Sequence, residues 1–128
     1  MGLEFHAVRL LVEDFEESLS FYKDLLGFSG WYDTGQEYAY FEEKQLALFS
    51  RKSMEKALRH VPDALTPVGH YKFLLQFEVE DVDETYRGLI ERGLPFLNSP
   101  KDQPDWGSRV VHFNDPDGNL LELYQSIR

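Results

Sequence analysis

Val12-Glu13-Asp14 recurs about half the chain later as Val79-Glu80-Asp81. Each copy follows an apolar stretch with strand character and opens a stretch with helical spacing. Phe15, Leu19, Tyr22, Leu25 and Leu26 mark the first helix, and Val82, Tyr86, Leu89 and Ile90 the second. Asp14 with Glu17, and Asp81 with Glu84, have the spacing of a capping box with Asp as the N-cap. Gly27 and Gly93 stand where each helix should stop, because glycine takes the left-handed backbone that ends a helix without strain. Two helices with matched starts and stops indicate a duplicated unit.

Working outward, each helix is followed by strand-like stretches. Trp31 to Asp33, Glu37 to Glu42 and Gln45 to Ser50 follow the first, with Glu43-Lys44 as a tight hairpin. Pro95 to Asn98, Ser108 to Phe113 and Asn119 to Gln125 follow the second. Asn114-Asp115-Pro116-Asp117-Gly118 is a strong turn signal, and its carboxylates read as turn formers. Each half is then β-α-β-β-β. The fold class expected is α+β: two βαβββ modules forming a curved, partly open, barrel-like mixed sheet with helices outside. Residues 1–128 form a single two-module domain, with a first module at 1–50, a linker at 51–69 and a second module at 70–128. Within the linker, Ser53 to His60 reads as a short helix capped by Ser53 and stopped by Pro62 and Pro67.

The chain of 128 residues is 42% hydrophobic and 15% aromatic, which suits a packed core rather than disorder. It has no cysteine, so disulfides and thiolate metal sites are excluded. A net charge of −10 disfavours nucleic acid and anionic membrane as partners and suits either solubility or attraction of a cationic ligand. Met1 to His6 shows no basic, then apolar, export signal, and no run reaches the length of a membrane span. A cytoplasmic location is expected.

Alternation assigns strand faces. Val8, Leu10 and Val12 share an apolar face, and Phe5, Ala7, Arg9 and Leu11 a mixed one. Phe73, Leu75, Phe77 and Val79 should pack on the helices, leaving Lys72, Leu74, Gln76 and Glu78 on the other face. In the last strand Leu121 and Leu123 point one way, and Leu120, Glu122 and Tyr124 the other. Tyr38 and Tyr40 share a face opposite Phe41. The mixed faces would line a concave groove of the kind that takes a small molecule.

Three stretches now carry a resemblance: Val12-Glu13-Asp14 leading into Ser18-Leu19-Ser20-Phe21-Tyr22-Lys23-Asp24-Leu25-Leu26-Gly27-Phe28, then Trp106-Gly107-Ser108-Arg109, then Asp115-Pro116-Asp117-Gly118-Asn119-Leu120-Leu121-Glu122-Leu123. Over essentially the whole chain the sequence resembles the vicinal oxygen chelate superfamily of glyoxalases, fosfomycin- and bleomycin-resistance proteins and extradiol dioxygenases. The resemblance implies a small-molecule ligand and a homodimer. In metal-dependent members it implies four ligand positions, which fall here on Ala7, Ala47, Leu74 and Glu122. Only Glu122 offers a donor, so no cofactor is expected and a divalent metal is disfavoured. His6 and His70 are the histidines that could restore a site by turning inward. Strand parity puts His6 on the opposite face, and His60 belongs to the linker.

The candidate ligand-binding residues are Arg9, Tyr38, Gln76, Trp106, His112, Glu122 and Tyr124. Trp106 sits in a Pro-rich loop, Ser99 to Gly107, expected to be flexible, where it reads equally as a stacking lid or an anchor. His112 should face Glu122, either as a structural pair or as an acid–base pair. The favoured function is a metal-free binding protein, closest to bleomycin-resistance-like members, that sequesters a cationic or aromatic ligand. The alternatives are a metal-dependent glyoxalase- or dioxygenase-like enzyme, and a metal-free lyase or isomerase using His112 and Glu122.

Overall fold

The structure is a computed structural model that describes residues 2, 4–57 and 73–127. The chain falls into two units, Met1–Val68 and Gly69–Arg128. In the first, β1 (Val8–Val12) leads to α1 (Phe15–Leu19), which continues as a π-helical turn over Ser20–Leu25. Then come β2 (Trp31–Asp33), β3 (Tyr38–Phe41), β4 (Leu46–Ser50) and α2 (Arg51–Ala57). In the second, β5 (Leu74–Glu78) and α3 (Val82–Glu91) precede β6 (Lys101–Gln103), β7 (Ser108–Asn114) and β8 (Leu120–Ser126).

The duplication read from the sequence is present in the topology. The sheets are ordered β1-β4-β3-β2 and β5-β8-β7-β6, each an open sheet of four strands. In each, the first strand pairs parallel with the last, and the other pairings are antiparallel. Both helix starts are capped as expected: Asp14 Oδ1 accepts from Glu17 N–H (3.0 Å) and Asp81 Oδ1 from Glu84 N–H (3.1 Å). Gly27 and Gly93 take positive φ (76° and 91°) just past the helix ends.

Each sheet buries one face under its helix. Leu10, Val12, Phe15, Leu19, Tyr22, Ala39, Phe41 and Leu48 form the first core. Val82, Leu89, Val111, Phe113, Leu121 and Leu123 form the second, with Phe96 bridging Tyr86 to Phe113.

Several expectations need correction. The first helix does not keep regular spacing to its end: the π turn, closed by Leu26 N–H donating to Phe21 O, leaves Leu25 half-buried. Ile90 is exposed, because Val82, Tyr86 and Leu89 already occupy the stripe of α3 that meets the sheet. Phe73 is likewise exposed, since it precedes β5 rather than joining it.

Pro95 to Asn98 is not a strand. Pro95 has no N–H to give a ladder, and one backbone bond, Leu97 N–H to His112 O (2.9 Å), ties the segment to β7. The strand lies further on, at Lys101–Gln103. The Ser99 to Gly107 stretch is therefore structured: β6 is followed by a 3₁₀ turn, Pro104–Trp106, that Gly107 closes at φ 69°. Helix α2 starts at Arg51, directly off β4, so Ser53 lies inside it and caps nothing. Arg51 reaches Glu13 at 3.5 Å, which ties this start to the end of β1. His60, Pro62, Pro67 and His70 lie outside the described residues.

Candidate ligand-binding site

The face of the first sheet opposite α1 is built by alternation and by register. Arg9 pairs with Ala47, Leu11 with Phe49, Tyr40 with Ala47, and Tyr38 with Phe49, so these side chains stand on one face. Beside this face lies an open cleft of about 370 Å³, lined by His6, Ala7, Arg9, Leu11, Tyr38, Ala47 and Met54.

Further rings pack around the lining residues Arg9, Tyr38 and His6. The Arg9 guanidinium carbon lies 5.4 Å from the Tyr38 ring centre and 5.2 Å from that of Phe49. Tyr38 meets Phe49 edge-on at 6.0 Å and Trp31 at 5.5 Å. His6 stacks on Tyr40 at 5.1 Å with 26° between the rings. The expectation that His6 points away fails because β1 begins at Val8. Strand parity does not bind a residue outside the strand, and the stacking turns the imidazole to the cleft.

The open face of the second sheet holds a polar network instead. His112 pairs with Glu122 in the β7–β8 register, and Gln76 with Glu122 in the β5–β8 register. His112 Nε2 lies 2.9 Å from Glu122 Oε1, and Gln76 Nε2 donates to Glu122 Oε2 at 2.7 Å. Asn98 completes the set: its Oδ1 accepts from the His112 backbone N–H (2.8 Å), and its Nδ2 faces His112 Nδ1 (2.9 Å).

The backbone N–H can only donate, which fixes the Asn98 amide orientation. Its NH₂ then donates to Nδ1, so the imidazole proton sits on Nε2 and is given to Glu122. Both ring nitrogens of His112 and both oxygens of Glu122 thus have protein partners. Glu122 is 4% exposed.

The other candidates are placed less centrally. Tyr124 is half-buried on the same face as Glu122, opposite Glu78 and Val110. Trp106 is exposed on its 3₁₀ turn. Arg9 and Tyr38 meet in the first cleft, and Gln76, His112 and Glu122 meet in the second network. His6 and Met54 were not among the expected ligand-binding residues, nor was Asn98. Arg109 and Asp115 serve the fold. Arg109 grips Asp83 with two nitrogens (2.7 and 3.0 Å) and Asp102 with a third (3.0 Å). This grip raises the Arg109 pKa and lowers that of Asp83. Asp115, 5% exposed, accepts from the Asp117 and Asn119 backbones and from Asn119 Nδ2.

Residues 4–123 match the model of the Glyoxalase/Bleomycin resistance protein/Dioxygenase superfamily. The chain belongs to that superfamily. Among relatives, it is 45% identical to the uncharacterized protein YraH of Bacillus subtilis (strain 168), over 94% of this chain and 96% of that protein. It is 28% identical to a bleomycin resistance protein of Geobacillus stearothermophilus, over 93% and 94%. A solved structure of a protein of unknown function from Agrobacterium tumefaciens str. C58 superimposes with a TM-score of 0.79 at 31% identity, covering 98% of this chain and 96% of that one.

The superfamily's metal positions are tested by the side chains that stand there. Ala7 and Ala47 do converge on one cleft, but methyl groups donate nothing. Leu74 pairs with Leu120, and Glu122 is already held by His112 and Gln76. Among the described residues no three His, Asp or Glu side chains gather as a metal would require. Among the described residues the donor set does not fit a divalent ion. No helix among the described residues is long and apolar enough to cross a membrane.

Proposed function

We propose that this superfamily member is a small-molecule-binding protein that holds an aromatic ligand in the first module's cleft without a metal centre. The observation that carries the reading is the cleft's lining. Hydrocarbon stands at Ala7 and Ala47, the Tyr38 and His6 rings and the Arg9 guanidinium share the lining, and Phe49 backs Arg9 at 5.2 Å. Aromatic walls bind flat ligands through burial and ring stacking. Phe49, Tyr38 and Trp31 hold one another in place, so little order is lost on binding.

Catalysis by His112 and Glu122 is disfavoured, because each spends its hydrogen bonds on protein partners. A general base needs a free nitrogen within reach of substrate. A homodimer belongs to the same reading. Each sheet is open, and the edge strand β2 exposes Trp31 and Tyr32.

Thermal shift of the full chain against aromatic compounds of both charges, with bleomycin included, tests the proposal. Dose-dependent stabilisation that Tyr38→Ala weakens is the expected result. Stabilisation unaffected by Tyr38→Ala, or none from any compound, would overturn it.

A further inference from the structure

The chain carries twenty-three acidic residues and a net charge of −10, yet no Asp or Glu among the described residues lines the first-module cleft. Its permanent charge is a cation, Arg9. No ion pair joins Arg9 to a carboxylate among the described residues. The groups that hold it are the Tyr38 and Phe49 rings, at 5.4 and 5.2 Å. An arginine in so acidic a protein has many carboxylates to choose from. Here the register of β1 places it over rings instead.

Aromatic faces hold a guanidinium electrostatically and leave its N–H donors for other partners. Those donors form a planar fork that matches two coplanar oxygens. His6, stacked on Tyr40, adds a second polar group to the same cleft. The net charge suggests a cationic ligand, but the cleft's own charge has the opposite sign.

We infer that Arg9 is an oxyanion subsite, and that the ligand is an aromatic small molecule bearing a carboxylate. The inference rests on the reading of the cleft as a ligand site and names the chemistry of its occupant. Tyr38 receives the ring system, and Arg9 fixes its orientation by pairing with the carboxylate. Carboxylate is taken as the oxyanion because its two oxygens lie in the plane of the fork, and the phosphate probe below separates the two.

Calorimetric titration with four probes tests this: 2-naphthoate, 2-naphthamide, 2-naphthyl phosphate and 2-naphthylmethylamine. Naphthoate is expected to bind at least about tenfold more tightly than the amide, as charge-assisted hydrogen bonds imply. Arg9→Gln should remove that preference, so that naphthoate binds no more tightly than the amide. Arg9→Lys, which keeps the charge and loses the fork, should fall between them, and it decides the matter if Arg9→Gln does not fold. Equal binding of naphthoate and amide, unchanged in either variant, would sink the subsite and leave the aromatic-cleft reading standing. Tighter binding of the phosphate or the amine than of naphthoate would overturn the carboxylate assignment. Failure of all four to bind at millimolar concentration would remove both readings together.

Discussion

His112 donates its Nε2 proton to Glu122 Oε1 across 2.9 Å, and the orientation of Asn98 decides that tautomer. The pair lies at the position where sequence reading placed either a structural contact or an acid–base couple. With Gln76 on the second carboxylate oxygen, the network is closed.

Breaking it should therefore cost stability rather than ligand affinity. His112→Ala leaves a buried carboxylate one partner short, and the expected loss is about 1–3 kcal/mol. Gln76→Leu should act in the same direction by removing the other partner. Urea denaturation measures both. Unchanged stability with loss of turnover on some substrate would instead favour the enzymatic alternative.

Arg109 holds the Asp83 carboxyl below its ordinary 3.8, chiefly through its hydrogen bonds. A carboxyl lowered on folding adds stability that is present above the ordinary value and lost as pH falls through the folded one. Wild type should be more stable than Asp83→Asn at neutral pH, and the gap should close below about pH 4. The pair is part exposed, so the gap will be modest and will shrink with salt. Thermal melts at several pH values measure it. A gap that widens in acid would contradict the assignment.

The Asp-Pro-Asp-Gly turn depends on one buried carboxylate. Asp115→Ala orphans the Asp117 and Asn119 backbone donors and is expected to lower stability by about 1–3 kcal/mol. Asp117→Ala should do far less, since Asp117 meets the Asp115 carboxylate through its backbone N–H, which the substitution keeps. Equal effects of the two, by chemical denaturation, would show that the turn is held in another way.

Purified, dialysed protein titrated with nickel, manganese or zinc should show no tight one-to-one binding. Ala7, Ala47 and Leu74 supply hydrocarbon, and Glu122 is engaged. A stoichiometric complex in calorimetry would contradict the metal-free reading.

What was legible in the sequence was local. The paired Asp caps, the stop glycines and the strand alternation each depend on a few neighbouring residues, and together they specified two βαβββ units. The same alternation put Arg9 on the mixed face of the first strand and Tyr38 beside Tyr40, and the register then joined them. What was not legible depended on contacts distant in sequence. His6 turns inward by stacking on Tyr40, which strand parity cannot show. Met54 reaches the cleft because α2 begins at Arg51. Asn98 meets His112 because a non-strand segment crosses β7, where a strand was expected.

The most direct test uses the lining of the cleft. The chain has two methionines, Met1 and Met54, so protein labelled with ¹³C at the methionine methyls gives two signals. Titrating 2-naphthoate should move the Met54 methyl in a saturable, ring-current-shifted manner and leave Met1 in place. A compound that stabilises the protein while the Met54 signal stays fixed would show that the ligand binds elsewhere.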